Sequence, residues 1–459
     1  MTNEHFPRPD GMSSFWRSSL GQLDDHRSTD ALPEQTDVLI IGGGYSGGSL
    51  ITHLLESEGV QEKQFLVLEA RQLCSGATGR NGGHLRPDLY VACSRLAEKY
   101  GFDVGVEVAN FEIDNLTAVR EYVKKTGADC DLVVGHCVDV LLDEEVNTML
   151  KERVDKFVAM GVDVTKQPFY LHAEQAELYS GVKGAKGAWT CGTAHLWPYK
   201  LIHHMFSKAL AHKNVNLQTH TPASRIIEDP ESDGHWIVET PRGAVRTRQI
   251  VIAANAYTSS VLPEYKDKII PFRTVCSRIV VPKDEQPPLL PHSVVLRFNR
   301  WYGDYLAPRP DGSLIVGGAK RMYLKDLGEW YDNVDDSQVI ENAKDYFDGY
   351  MQKYFRGWEN SGAYTDQVWS GIMGYSADML PRIGHVPGRK GIFIMGGFTG
   401  HGMAQIFLAA QGLTKMLLND AAYSETGLPR LFEETEERLA SKENMVIGIH
   451  EGLPPDSKS

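Results

Sequence analysis

The sequence predicts an α/β fold: a parallel sheet assembled from separate stretches of chain, joined to an α+β region with an antiparallel sheet. Three observations predict it. "TDVLIIGGGYSGGSL", Thr36 to Leu50, reads as a strand, a glycine turn and the start of a helix. "GIFIMGGFTGHGMAQIFLAAQGLTKMLL", Gly391 to Leu418, returns to that order far down the chain. Between them, "SVVLRFNRWYGDYLAPRPDGSLIVGGAK" reads as consecutive antiparallel strands, with Asp311-Gly312 as a hairpin turn.

Taken in order, residues 1–35 are polar, with a lone Trp16, and read as an arm on the surface. Val38 to Ile41 is an apolar run suited to a fully covered parallel strand. A helix is expected from about Ser46 to Ser57, with Leu50, Ile51, Leu54 and Leu55 at helical spacing. Gly59 marks a turn, and Phe65 to Glu69 is the second strand. One amphipathic helix is expected from about Leu96 to Lys125, ending at Gly127. "DLVVGHCVDVLL" reads as a strand with a break at Gly135, followed by a charged helix from about Glu144 to Met160 that ends near Gly161. A further helix opens near Pro198 and leads into strands up to "VIAANAYT". The expected division is an arm at 1–35; a nucleotide domain at 36–100, 191–262 and 365–425; a substrate domain at 101–190 and 263–364; and a tail at 426–459.

Composition narrows the partners. Of 459 residues, 42% are hydrophobic and 23% charged, an ordinary soluble globular balance. A net charge of -13 argues against nucleic acid or an anionic membrane as the main partner. The six cysteines form no C-x-x-C pair, so reduced, buried thiols in the cytoplasm are expected. Cys130, His136 and Cys137 do not have zinc spacing, and no metal is expected. Neither a signal peptide nor a membrane span is read. The final Ser-Lys-Ser only approximates a peroxisomal address. The sequon at Asn115 is expected to be inert.

The glycine turn carries the first chemistry. Gly42 permits the tight bend, Gly44 lets backbone approach a pyrophosphate, and Gly47 lets the helix pack close to the strand. The helix start then offers free N–H groups to phosphate. Glu69, at the end of the second strand, is placed to accept ribose hydroxyls. These features define a Rossmann-like dinucleotide site. FAD and NAD both use such a turn. The small-residue loop "ARQLCSGATGRNGGHLRP", Ala70 to Pro87, suits a long flat ligand pressed against backbone.

With those pieces in view, the chain resembles the D-amino-acid oxidase and glycine oxidase family of flavoproteins, most of all its γ-glutamylputrescine-oxidase-like branch. The matching stretches are "DVLIIGGGYSG", "LEARQLCSGATGRNGGH", "HLWPYKL", "VIAANAYT", "YLAPRPDGSLIVGG", "WSGIMGYSADMLPRIG" and "GFTGHGM". The resemblance implies a discontinuous FAD domain of the glutathione-reductase type, with non-covalent FAD. Gly42, Gly44, Tyr45, Ser46 and Gly47 would bind the pyrophosphate, and Glu69 the adenosine ribose, with Ala70 and Arg71 beside the adenine. Ser75, Gly76, Thr78 and Gly79 would follow the pyrophosphate. Asn81, Gly82 and Gly83 would run along the flavin ring. Ala223 would face the adenine region and Ala254 the dinucleotide. Gly397, Thr399, Gly400, His401, Gly402 and Met403 would approach the flavin's N1 and O2, where a helix opening at His401 aims a positive dipole end. Cys74 and His84 lie where some relatives attach FAD covalently, though no motif here demands a bond.

The implied reaction is oxidation of a C–N bond in a small amine or amino acid. Hydride passes to flavin N5, an imine forms, and molecular oxygen reoxidises the flavin to give hydrogen peroxide. Trp301, Tyr302 and Tyr305 are expected as an aromatic wall. Arg273, Arg278 and Arg309 are candidates for gripping a carboxylate. Lys320 and His401 are further pocket candidates, and no catalytic residue is assigned. Trp369 and Asp378 read as structural or flavin-proximal. Rival readings are a flavin dehydrogenase passing electrons to another acceptor and a non-catalytic flavin-binding protein. A nicotinamide enzyme is disfavoured by the C-terminal return motif.

Overall fold

Along the strand Gln35–Ile41 successive side chains face opposite ways, and both faces are covered. Val38 and Ile40 share an apolar cluster with Leu50, Leu54, Ile202 and Leu413, from three helices. Those helices are Tyr45–Glu56, Pro198–Ala209 and Ile406–Asn419. Leu39 and Ile41 face the other way, with Leu66, Leu68, Trp236 and Val238. This two-sided burial is why the run is apolar without alternation.

The computed structural model describes residues 5–159 and 169–451. In the first sheet the strands lie in the order Arg382–His385, Ile392–Gly396, Gly243–Ile252, Gln35–Ile41, Phe65–Leu68, Val215–Gln218. The last five are parallel to one another, Arg382–His385 is antiparallel, and the hairpin strands Arg225–Glu228 and Trp236–Thr240 extend the sheet beside Gly243–Ile252. The second sheet is mostly antiparallel. It runs Tyr364–Ser376, Ile269–Val280, Leu314–Gly318, Gly303–Pro308, Ser293–Arg297, Val133–Leu141, Gly187–His195, His84–Leu85, with Phe169–His172 also on Gly187–His195. Two of its strands, Gly187–His195 and Tyr364–Ser376, cross the expected boundaries at 190/191 and 364/365. The hairpin at Asp311-Gly312 is present, with Pro308 opposite Leu314 and Gly312 at φ +82°.

Several expectations need correction. The arm does not simply lie on the surface: Phe15, Trp16 and Arg17 are buried, and Trp16 is fully enclosed. Its ring packs with Phe15 and Trp197 beneath the Arg309 guanidinium, and its Nε1 donates to the Asn81 carbonyl. The expected helix from Leu96 is two helices, Val91–Tyr100 and Phe102–Thr126, because Gly101 at φ +106° breaks the ladder. No break occurs at Gly135, since Val133–Leu141 pairs throughout with Gly187–His195. The helix expected from His401 starts at Ile406, after a single 3-10 turn over Gly402–Ala404. The Asn115 sequon needs no correction: its side chain is fully buried, with hydrogen bonds to the backbone at Met403 and Leu408, in keeping with the inert sequon expected. The end of the helix near Met160 and Gly161, the C-terminal Ser-Lys-Ser and part of the tail lie outside the described residues.

Candidate active site

A cavity of about 520 Å³ lies where the carboxyl ends of the parallel strands meet the second sheet. That is the place where open α/β sheets take their ligands. Ile41, Leu68 and Ala253 form one wall, and Thr274, Cys276, Val295, Tyr305 and Gly318 the other. Gly42 turns the chain at φ +122°, and a Cβ there would stand 2.5 Å from the Ala253 carbonyl oxygen. At Gly47 a Cβ would stand 2.1 Å from the Gly42 carbonyl oxygen, so only glycine lets the helix seat on the strand. Glu69 accepts from Gly43 N–H at 2.8 Å and from Arg71 N–H at 2.9 Å. Each carboxylate oxygen can accept a further hydrogen bond, and Glu69 lines the cavity. Tyr45 N–H bonds Thr78 Oγ1 at 3.0 Å, tying the helix start to the loop after the second strand.

That loop is held from below by two guanidiniums. Arg71 and Arg80 share the fully buried Asp336, at 3.0 and 3.4 Å. Arg80 also donates to the carbonyls of Ser75 and Ser370, and burial pushes its pKa down to about 10. Asn81 Oδ1 accepts from Gly83 N–H at 2.7 Å, which holds the glycine run in shape. At the far end, Asn255 Oδ1 accepts from Gly397 N–H at 3.0 Å. His401 Nε2 donates to Glu112 Oε2 at 2.9 Å, and Gln405 Nε2 donates to the other oxygen.

Of the residues expected at the cofactor, Gly42, Gly44, Tyr45, Ser46, Glu69, Ala70, Arg71, Gly76, Thr78, Asn81, Gly82, Ala223, Ala254, Thr399, Gly400, His401, Gly402 and Met403 line this cavity. Gly47, Ser75, Gly79, Gly83 and Gly397 are not among the residues that line it. Gly79 and Gly83 support it through their carbonyls, which accept from Ser14 and Leu196.

Trp301, Tyr302, Tyr305 and Lys320 are on the wall as well. Tyr305 has its ring against Gly82 and Gly317 and its hydroxyl 3.1 Å from Cys276 Sγ, so the hydroxyl is already engaged. Tyr302 is buried and its hydroxyl has no partner. The Lys320 ammonium stands 5.4 Å from the Phe272 ring centre and has no carboxylate partner among the described residues. The three arginines considered for a carboxylate do not line the cavity, and each meets an acid elsewhere. Arg273 meets Glu329 and the Gln338 carbonyl, Arg278 meets Asp311 and Asp366, and Arg309 meets Asp131. Trp369 is structural, its Nε1 donating to the Arg80 carbonyl, and Asp378 pairs with Arg438.

Sequence reasoning missed a second charged group on this wall. Arg86 and Arg297 both pair with the fully buried Asp139, at 3.0 and 2.8 Å, and Tyr90 donates to the same carboxylate. These four residues come from three distant stretches of chain: Arg86 and Tyr90 share one, and no local spacing links either to Asp139 or Arg297. Among the described residues no group of side chains has the makings of a metal site.

Buried polar atoms test whether a flavin dinucleotide fits. The hydroxyls of Tyr257 and Tyr302 and Nδ1 of His84 are buried in residues of this wall without a partner in the protein. Burial, with His195 nearby, pushes the His84 pKa down to about 3, so the ring is neutral and can meet a polar ligand atom. A Cβ at Gly76 would meet nothing within 4 Å, leaving open space beside the backbone. An elongated, polar-edged, flat ligand satisfies these features, and FAD is such a ligand.

Fold and cavity thus define a dinucleotide-dependent oxidoreductase. The chain belongs to the FAD dependent oxidoreductase (DAO) family, which it matches over residues 37–416. Its cofactor is FAD. Gamma-glutamylputrescine oxidoreductase of Escherichia coli K12 is 25% identical over 415 residues, which cover 89% of each chain. Human mitochondrial dimethylglycine dehydrogenase is 25% identical over 394 residues, 81% of this chain and 41% of that one. In fold, glycine oxidase from Geobacillus kaustophilus superimposes with a TM-score of 0.67 at 18% identity, covering 85% of this chain and 96% of its own. No helix among the described residues is long and apolar enough to cross a membrane.

Proposed function

We propose that the protein oxidises a C–N bond in an amine or amino acid, giving an imine that water hydrolyses, with molecular oxygen as final acceptor and hydrogen peroxide as product. The observation that carries this reading is the Tyr302 hydroxyl, buried on the cavity wall and without a partner. A phenol both donates and accepts, so it matches an amine nitrogen in a dry chamber. The chemistry that FAD supplies when bound is acceptance of hydride from the carbon beside that nitrogen and delivery of both electrons to oxygen.

The chain's own residues bind and orient. Trp301 and Tyr302 wall off water. The Lys320 ammonium disfavours a second cation nearby and so favours the neutral amine, the form that can release hydride. Glu69, Ala70 and Arg71 hold the adenosine side. Gly42, Gly44, Tyr45, Ser46 and Thr78 hold the pyrophosphate. Asn81 and Gly82 follow the flavin ring, with Thr399 to Met403 at its far edge. Similarity to gamma-glutamylputrescine oxidoreductase supports the C–N chemistry. Similarity to dimethylglycine dehydrogenase favours a second reading, in which another carrier replaces oxygen.

Adding polyamines, secondary amines and amino acids to the oxygen-free holoprotein tests the reading. One class should bleach the flavin bands, and air should restore them with formation of peroxide. Bleaching that air does not reverse would select the dehydrogenase reading. A panel in which nothing bleaches the bands would sink the proposal.

A further inference from the structure

We propose that the N-terminal arm is part of the FAD site, with Phe6 and Pro7 covering the adenosine end of the dinucleotide. Both residues lie ahead of the family-matched segment 37–416, and both line the same cavity as Glu69, Arg71 and Ala223. The inference rests on FAD as cofactor and is independent of the substrate.

Anchors on either side bring these two residues to the cavity. Before them, His5 Nδ1 lies 2.6 Å from Ser259 Oγ, one residue from the wall residue Ser260. After them, the Arg8 carbonyl accepts from Arg71 Nη1 at 2.9 Å. Arg71 follows Glu69 by two residues, so this anchor sits at the ribose end. The arm continues past the loop at Asp336 and the second-sheet strand Tyr364–Ser376. Met12 N–H donates to the Asp336 carbonyl at 2.8 Å, and the Ser13 carbonyl accepts from Gln367 Nε2 at 3.0 Å. Ser14 Oγ donates to the Gly79 carbonyl, two residues before the enclosed Trp16.

Phe6 itself is half-buried, joins none of the packed apolar clusters of the described residues, and stacks on no other described ring. A half-buried ring on a cavity wall, outside those clusters, is a platform for a flat base, and adenine presents such a face. Pro7 adds a rigid apolar edge. Tyr257, whose hydroxyl is buried and unpartnered, lies on the same wall, two residues before the Ser259 anchor.

The test is FAD release from the full-length holoprotein, read as the rise in flavin fluorescence after dilution. Phe6→Ala should speed release about tenfold, the loss of one base–aromatic stack. Deleting residues 2–10, which stops short of Ser14 and Trp16, should speed it at least as much. The thermal midpoint of the apoprotein should stay at the wild-type value in Phe6→Ala. Hydrogen exchange gives a second readout: FAD should raise amide protection over residues 5–13 of the wild-type chain. Wild-type release rates in Phe6→Ala would overturn the proposal, as would equal protection with and without FAD. Neither readout needs a substrate, so failure here is distinct from failure of the oxidase reading.

Discussion

His401 Nε2 lies 2.9 Å from Oε2 of Glu112, a buried carboxylate that the helix Phe102–Thr126 carries into the loop ahead of Ile406. Burial disfavours the imidazolium, but the charge of Glu112, its hydrogen bond and Asp88 outweigh burial, so the His401 pKa is raised above 6.5. A raised pKa contributes stability that is full below the unfolded value and lost as pH rises through the folded one. Glu112→Gln should therefore cost about 1–3 kcal/mol at pH 6. The difference from wild type should shrink towards pH 9. Urea denaturation at the two pH values checks this, and a difference that grows with pH would refute it.

Gly47→Ala tests the seat of the first helix. The added Cβ would stand 2.1 Å from the Gly42 carbonyl oxygen, which is backbone and cannot swing aside. The helix must back away from the strand, at about 1–3 kcal/mol. FAD content on purification and the thermal midpoint should fall together. A variant with full FAD content would show that the close approach is not needed.

Asp139 balances Arg86 and Arg297. Removing it strands two guanidiniums on the cavity wall, so Asp139→Ala should lose about 3–5 kcal/mol. Asp139→Asn keeps the acceptor oxygen and should lose less. Denaturation midpoints of the pair, compared with wild type, decide the matter.

Tyr302→Phe removes a hydroxyl that the protein itself does not use. Stability should stay within about 0.5 kcal/mol of wild type. Turnover of the amine that bleaches the flavin should drop about tenfold, the size of one lost hydrogen bond to substrate. Anaerobic reduction rates measure it, and an unchanged rate would remove Tyr302 from the substrate site.

How far the site could be read from the sequence depended on how local its parts are. The turn Gly42–Gly47 and the acid Glu69 sit within one strand–helix–strand unit, so their spacing carried their geometry. The hairpin at Asp311-Gly312 was legible for the same reason. Trp16 was misjudged because its polar neighbours hide a partner, Trp197, that lies 181 residues away. Arg273, Arg278 and Arg309 do not line the cavity, and an arginine's sequence neighbours do not reveal which acid it meets.

By itself the sequence determined the class of fold, the dinucleotide turn and the family to which the chain belongs. Each rests on periodicity, on glycine spacing or on motifs a few residues long. Only the tertiary structure decided that Glu112 holds His401, that Asp139 joins Arg86 to Arg297, and that the arm reaches the cavity at Phe6 and Pro7. Those contacts join side chains far apart in the chain. Their energies depend on burial and on distances of about 3 Å, quantities that exist only once the two sheets have closed around the cavity.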